Sequence, residues 1–217
     1  MEAAAGSSKP RRARVRDPEA SRRALLEAAR DEFALKGFAG ARVDEIASRA
    51  GVNKQLVYHH FTDKDTLYLA VLERLYEDIR AAENELHLFG LQPERAIRKL
   101  IGFSFDYLAE NPHFVALLNE ENRYGAGHTR RSEKLPEMHS RFVTLLKDTL
   151  AAGVRAGIFR AGIDAMQLYI SIAGMSYFYF SNGPTLSVIF DRDLGTPAAR
   201  EKRRKHVIDL IMHSLRP

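Results

Sequence analysis

VDEIASRAGVNKQLVYHHFTDK, residues 43–64, is the stretch on which the reading of this chain turns. Val43, Ile46, Ala47 and Ala50 recur at i, i+3, i+4 and i+7, one apolar face of a helix, with Asp44, Glu45, Ser48 and Arg49 on the other face. Gly51 follows at once, where a tight interhelical turn needs a residue that accepts positive φ without steric cost. Asn53 is placed to cap a second short helix. On that helix Lys54, Gln55, Tyr58 and His59 fall within an arc of roughly 140°. Leu56, Val57 and His60 occupy the other side, and Val52 and Phe61 close the ends. No carboxylate occurs from Gly51 to Thr62, as a surface facing phosphates requires.

Upstream, Asp17-Pro18 supplies an N-cap and a proline at the first helical position. Leu25, Ala28, Ala29 and Phe33 then recur at helical spacing, and Lys36-Gly37 reads as a cationic last turn and a left-handed stop. An ordinary amphipathic surface helix would explain residues 54–60 alone. Three short helices in succession, a glycine turn between the last two and an acid-free exposed face together favour a DNA-reading helix-turn-helix. The adjacent pair His59-His60 predicts no metal site, because neighbouring residues on a helix point about 100° apart.

Residues 1–16 carry Lys9, Arg11, Arg12, Arg14 and Arg16 with almost no apolar content, so a disordered basic arm is expected there. It either tracks phosphates or enters a minor groove, or serves only solubility. Of the formal net charge of +5, most arises early: Met1 to Thr62 holds 12 Lys and Arg against 8 Asp and Glu. A basic end on a near-neutral body is the electrostatic footprint of a polyanion binder.

The run ALLEAARDEFALKGFAGARVDEIASRAGVNKQLVYHHFTDKDTL, residues 24–67, resembles the N-terminal domain of the tetracycline-repressor (TetR) family of bacterial one-component regulators. The resemblance rests on Phe33 and Gly37, Ile46-Ala47, Ala50-Gly51-Val52, and Tyr58-His59-His60-Phe61 followed by Lys64. It implies that Lys54, Gln55, Tyr58 and His59 enter the major groove and that Lys64 sits near a phosphate. The family often has Thr or Ser around Ala41-Arg42, capping the second helix and touching phosphate. Ala41 can do neither, so Arg42 is expected to make that contact by charge.

From Thr62 the chain changes character. Thr62-Asp63-Lys64-Asp65 is a capped helix start, and Leu67, Val71, Leu75, Ile79 and Leu86 predict a long amphipathic helix. Pro93 opens the next helix, and Asn111-Pro112 another containing Phe114, Leu117 and Leu118. Residues 122–134 have turn composition. Leu135 to Gly157, Asp164 to Ser181 and Pro197 to Leu215 predict three more helices, with Asn182-Gly183-Pro184 ending the second. The expected fold is all-α: a helix-turn-helix DNA-binding domain over 17–63 and a helical ligand-binding and dimerisation domain over 64–217.

The resemblance further implies a homodimer in which the last two helices of each copy form a four-helix bundle, since a two-fold operator needs two recognition helices about 34–36 Å apart. Ile172, Ala173, Ser176 and Phe180, with Val207 and Ile211, are the expected contact residues, although by pattern alone Ala165 to Phe180 equally suits a central core helix. The family senses small molecules between the long linker helix and the core. Candidate wall residues are Phe103, Tyr107, Asn119, Asn122, Arg123, Phe142, Met166, Tyr169 and Tyr177. Most such aromatic and Met residues are simply core, but polar groups beside an apolar cavity orient a ligand. The expected effector is largely apolar or aromatic.

Composition bounds the alternatives. The 217 residues are 45% hydrophobic and 28% charged, enough for a core and a soluble surface. There is no cysteine, which excludes disulfides and thiolate metal sites and suits a reducing cytoplasm. The opening MEAAAGSSKPRRARVR lacks the apolar segment of a signal peptide. The most apolar window, 165–180, is interrupted by Gln167, Ser171 and Ser176 and is shorter than the ~20 residues that span a bilayer. No H-E-x-x-H, G-x-S-x-G or phosphate-loop pattern supports an all-α enzyme, and no cofactor or metal is expected. A non-specific architectural DNA binder is the other alternative, and it would need no effector pocket.

Overall fold

The computed structural model describes residues 17–217, so the basic arm over 1–16 lies outside the described residues. Among them the chain forms ten α-helices and no strand. They are α1 (Pro18–Gly40), α2 (Val43–Arg49), α3 (Lys54–His60), α4 (Lys64–Asn84), α5 (Pro93–Glu110), α6 (Pro112–Arg123), α7 (Lys134–Arg155), α8 (Ala165–Ser181), α9 (Gly183–Ile189) and α10 (Pro197–Ser214), with a 3-10 turn at Thr129–Arg131. The all-α expectation holds.

Local chemistry sets most of these boundaries. Asp17, Asn53, Asp63, Asp164 and Thr196 each accept a backbone N–H of the following turn through the side chain, satisfying a donor that the helix itself leaves orphaned. Three boundaries differ from expectation. Gly37 does not end α1 but kinks it (φ 68°, ψ 174°), and the helix resumes to Gly40. The linker helix α4 stops at Asn84, before Leu86, where His87 turns the chain at φ 45°. Gly183-Pro184 ends α8 and also opens the short α9, because proline is tolerated in a first helical turn.

Two apolar cores divide the molecule. The first gathers Leu25 and Phe33 of α1, Ile46 of α2, Val57 of α3, and Leu67 and Tyr68 of α4, and it extends to Leu108, Phe114 and Leu117 of α5 and α6. The second packs Ile97, Leu100 and Ile101 of α5 against Phe142 and Leu146 of α7, Ile172 of α8, and Val207 and Ile211 of α10. At about 1.5 Å rise per residue, the 21 residues of α4 are long enough to serve both. The helix starts in the first core and ends with Arg80 stacked on Phe142 of the second.

The seam between the halves is polar as well as apolar. Phe38 N–H donates to Glu120 Oε1 of α6 at 2.8 Å. Glu121, only 2% exposed, accepts the His128 N–H (2.9 Å), the His128 imidazole at Nδ1 (2.9 Å) and the Thr129 N–H (2.8 Å). The His128 ring lies 4.6 Å from Phe38 and 4.7 Å from Tyr68. The turn over 122–134 is therefore pinned against α1 and α4.

Candidate nucleic-acid interface

The geometry of α3 follows from its neighbours. Gly51 adopts φ 64° and donates to Ser48 O, while Val52 N–H reaches back to Ala47 O. This pair of bonds is a Schellman closure of α2 that needs the left-handed residue. Asn53 then accepts Leu56 N–H at 2.8 Å and starts α3 in a new direction. Val57 (1% exposed) and Phe61 (3%) anchor the helix in the first core. His60 is turned inward, its Nε2 buried without a hydrogen-bond partner.

That anchoring leaves Lys54, Gln55, Tyr58 and His59 exposed on one side. The face is less uniformly free of acid than the sequence alone suggests. Lys54 Nζ lies 2.9 Å from Asp44 Oδ1 of α2, an exposed ion pair. This contact, first through its hydrogen bond and then through its charge, raises the Lys54 ammonium above its ordinary range. An acid-free run in sequence is not an acid-free surface when the preceding helix lies alongside.

Two flanking cations are placed differently from one another. Arg42 occupies the N-cap position of α2, makes no side-chain cap and is exposed. Lys64 begins α4, but its ammonium is turned back onto Ala39 O (3.4 Å) and the Phe38 ring (4.9 Å). Burial pulls the Lys64 pKa down. One residue that sequence reasoning passed over holds the unit together. Glu32 of α1 is fully buried and takes Lys36 Nζ at 2.7 Å, Arg42 N–H at 3.4 Å and Arg49 Nη2 at 3.6 Å. Burial would raise its pKa, but Lys36, the Arg42 N–H and Arg49 outweigh it, and the carboxyl is lowered. Glu32 thus ties both ends of α2 to α1. Its signal was available: an acid four residues on from Ala28 and three from Ala29, on the apolar stripe.

The comparisons with known proteins agree with this arrangement. The profile of bacterial regulatory proteins, tetR family, matches residues 25–71, and that of the tetracyclin repressor-like C-terminal domain matches 93–211. The chain belongs to the TetR family. The HTH-type transcriptional repressor NicS of Pseudomonas putida is 34% identical over 94% of this chain and 96% of its own length. The HTH-type transcriptional regulator RutR of Escherichia coli is 28% identical over 98% of both chains. Among solved structures, the transcriptional regulator SCO4942 of Streptomyces coelicolor superposes with a TM-score of 0.67 at 25% identity, covering 91% of this chain and 99% of that one. The fatty acid degradation regulator FadR of Bacillus halodurans shares the fold (TM-score 0.69, 21% identity, 90% and 96% covered). This TetR-family chain is thus a transcriptional regulator by kinship, as are the curated relatives, and none of its described helices is long and apolar enough to cross a membrane.

The residues expected at a dimer contact lie largely within the chain's own core. Ile172 (1%), Ser176 (0%), Val207 (0%) and Ile211 (3%) are consumed by the chain's own core, and Phe180 packs 4.9 Å from Phe105, with Ala173 half-buried. Helix α8 is apolar on two faces, and the one turned outward carries Met166, Ile170 and Phe178, each more than half exposed. Val188, Ile189 and Phe190 at the end of α9 and Leu210 of α10 are also exposed.

Of the expected effector residues, Phe103, Tyr107, Asn119, Phe142, Tyr169 and Tyr177 are buried or half-buried. Phe103 and Tyr107 pair on α5 with ring centroids 5.5 Å apart. The Tyr177 hydroxyl donates to Asn119 Oδ1. Burial pushes the Tyr177 phenol up, with Asn122 opposing. Phe142 and Tyr169 meet edge to face at 5.3 Å. Asn122, Arg123 and Met166 face solvent. Sequence reasoning missed the charged pair beside Phe142 and Tyr169, namely Arg80 and Glu83, whose side chains are 10% and 5% exposed. With Tyr76 and Ile79 they occupy i, i+3, i+4 and i+7 of α4, so charge in a core register was the signal.

Proposed function

We propose that this protein is a homodimeric, sequence-specific repressor that a small molecule releases from a two-fold operator. The observation that carries the reading is the exposed row of Lys54, Gln55, Tyr58 and His59 on a helix fixed from below by Val57 and Phe61. Rigid support of a short helix with amide, phenol and imidazole groups outward is what base-edge readout in a major groove requires. Gln55 is the base reader, Tyr58 and His59 flank it, Lys54 joins on release from Asp44, and Arg42 and Lys64 lie toward the backbone. Residues 17–63 form the DNA-binding unit and 64–217 the regulatory unit. The curated relatives named repressors support the sign of regulation.

Pairing uses the outward stripe of α8 (Met166, Ile170, Phe178) with Leu210 of α10, since contiguous exposed apolar surface marks an association site. The effector, largely apolar or aromatic, binds beside α4 in the second core. It weakens operator binding by preferring one spacing of the two recognition helices, to the extent of its differential affinity for the two states. The test is a duplex selected from random sequence, titrated against a scrambled one across a salt series. Selective binding that Gln55→Ala relaxes toward the scrambled duplex is expected. Equal affinity for both duplexes with one steep salt slope refutes sequence-specific repression.

A further inference from the structure

Within the second half lies a charged site that a core of this kind does not need. Arg80 is 9% exposed and Glu83 6%. Arg80 Nη1 and Glu83 Oε2 lie 2.8 Å apart. They are nevertheless poorly aligned, and both atoms, with Arg80 Nε, are buried without a hydrogen-bond partner. The recorded hydrogen bond of this guanidinium is a long one, from Nη2 to Tyr169 OH at 3.4 Å. Its plane is stacked 4.5 Å from the Phe142 ring centroid and 5.8 Å from that of Tyr169. A buried guanidinium with five N–H donors and so few acceptors is a site built for something else.

A cavity of about 200 Å³ opens onto these groups, lined by Arg80, Glu83, Asn84, Met138, Arg141, Phe142 and Leu145. Its charged lining is two arginines against one carboxylate. The second arginine, Arg141, is 80% exposed and lies with its Glu137 partner. The volume is below the ~300–1,000 Å³ typical of drug-sized ligand sites, which selects a small, single-ring molecule.

We infer that the Arg80 cavity binds the carboxylate of a small aromatic acid, the guanidinium gripping both oxygens and Phe142 with Leu145 receiving the ring. The inference rests on the reading of the protein as an effector-responsive regulator and names the chemical class of that effector. Planar two-point recognition of a carboxylate is what the arginine fork does best. Burial against the pull of Arg80 holds Glu83 at about 7, so it can give up the ion pair as a neutral acid when an outside carboxylate arrives. Of the residues expected on sequence grounds as effector contacts, Phe142 is then used directly and Tyr169 holds Arg80 from behind, whereas Asn119, Asn122 and Arg123 are not used.

Benzoate and its neutral isostere benzamide, titrated by calorimetry into the full-length protein, test the inference. Benzoate binding at least tenfold tighter than benzamide is expected, with Arg80→Met reducing benzoate affinity at least tenfold and Arg80→Lys retaining part of it. Circular dichroism melts establish that each variant is folded. Should Arg80→Met not fold, Phe142→Ala with wild-type benzoate and benzamide affinities decides. Equal affinity for the two probes, no binding of either, or benzoate affinity unchanged in a folded Arg80 variant overturns the inference. Operator binding is measured on the same samples. Specific DNA binding without a carboxylate preference sinks the ligand class alone, whereas an Arg80-dependent carboxylate site in a protein without specific DNA binding sinks the repressor reading alone.

Discussion

Replacing Gly37 with alanine attacks the seam between the two halves at its tightest point. Gly37 sits at φ 68° and ψ 174°, a region that is essentially glycine-only. Forcing an L residue there costs about 1–3 kcal/mol. The added Cβ would lie 2.5 Å from Glu120 Oε1 and 3.1 Å from Glu120 Cδ, so the carboxylate must swing away. In doing so it gives up the 2.8 Å bond from Phe38 N–H, a charge-assisted interaction of about 1.5–3 kcal/mol. Together these put Gly37→Ala about 3–6 kcal/mol below the parent, a large fraction of the roughly 5–15 kcal/mol that holds a domain folded. Urea unfolding at constant m-value measures it. Glu120→Ala alone should lose this hydrogen bond and the weaker, exposed pair with Arg123 at 3.3 Å, but not meet the collision. The double variant should be no less stable than Gly37→Ala alone, because the collision and the bond have already gone, so the single effects will not add. A loss under about 1 kcal/mol for Gly37→Ala, or strict additivity in the cycle, would refute the reasoning.

Other perturbations follow from equally local observations. Glu83 has an ordinary value of 4.5 and is held at about 7 by burial, opposed by Arg80. The folded chain therefore binds the extra proton between those values, and stability falls as pH rises through that window by up to about 3 kcal/mol. Urea melts from pH 5 to 8 should show that slope, and Glu83→Gln should flatten it. Phe178 is 54% exposed on the outward stripe of α8, so Phe178→Glu should convert a dimer to a monomer in light scattering, with an interface loss of at least about 2 kcal/mol. An unchanged mass would move the pairing face elsewhere. Lys54 is held by Asp44 in an exposed, solvent-screened pair, a kind that contributes little to stability. Asp44→Asn should raise operator affinity in low salt up to about fivefold if Lys54 must leave that pair to reach DNA, and an unchanged affinity would show that it does not.

Much of the fold was legible because its punctuation is local. Asp17-Pro18, Asn53, Asp63 and Pro93 mark helix starts through bonds to residues two to four places on or through a fixed φ, and each start falls where the sequence put it. The same locality made α3 readable: its outward row and its buried Val57 are set by helical spacing alone. Failures came where one residue serves two masters. Pro184 ends α8 and opens α9, and sequence reasoning saw only the ending.

Long-range partners left no such trace, and they decide the sites. Phe38 and Glu120 are 82 positions apart, and Arg204, which bonds Asp106 at 2.7 Å, is 98 positions away from it. For α8, periodicity offered two apolar faces, Ile172–Ser176–Tyr179 and Met166–Ile170–Phe178, and nothing along the chain says which turns inward. The choice is made by what α5 and α10 present, where Phe105, Ile101 and Val207 take the first face and leave the second to solvent. Charge in a core register breaks that symmetry. Burying Arg80 and Glu83 in a helix stripe costs several kcal/mol that good pairing only partly offsets, so a pair at i and i+3 amid Tyr76, Ile79 and Phe142 is the feature that directs the proposed ligand to this side of α4.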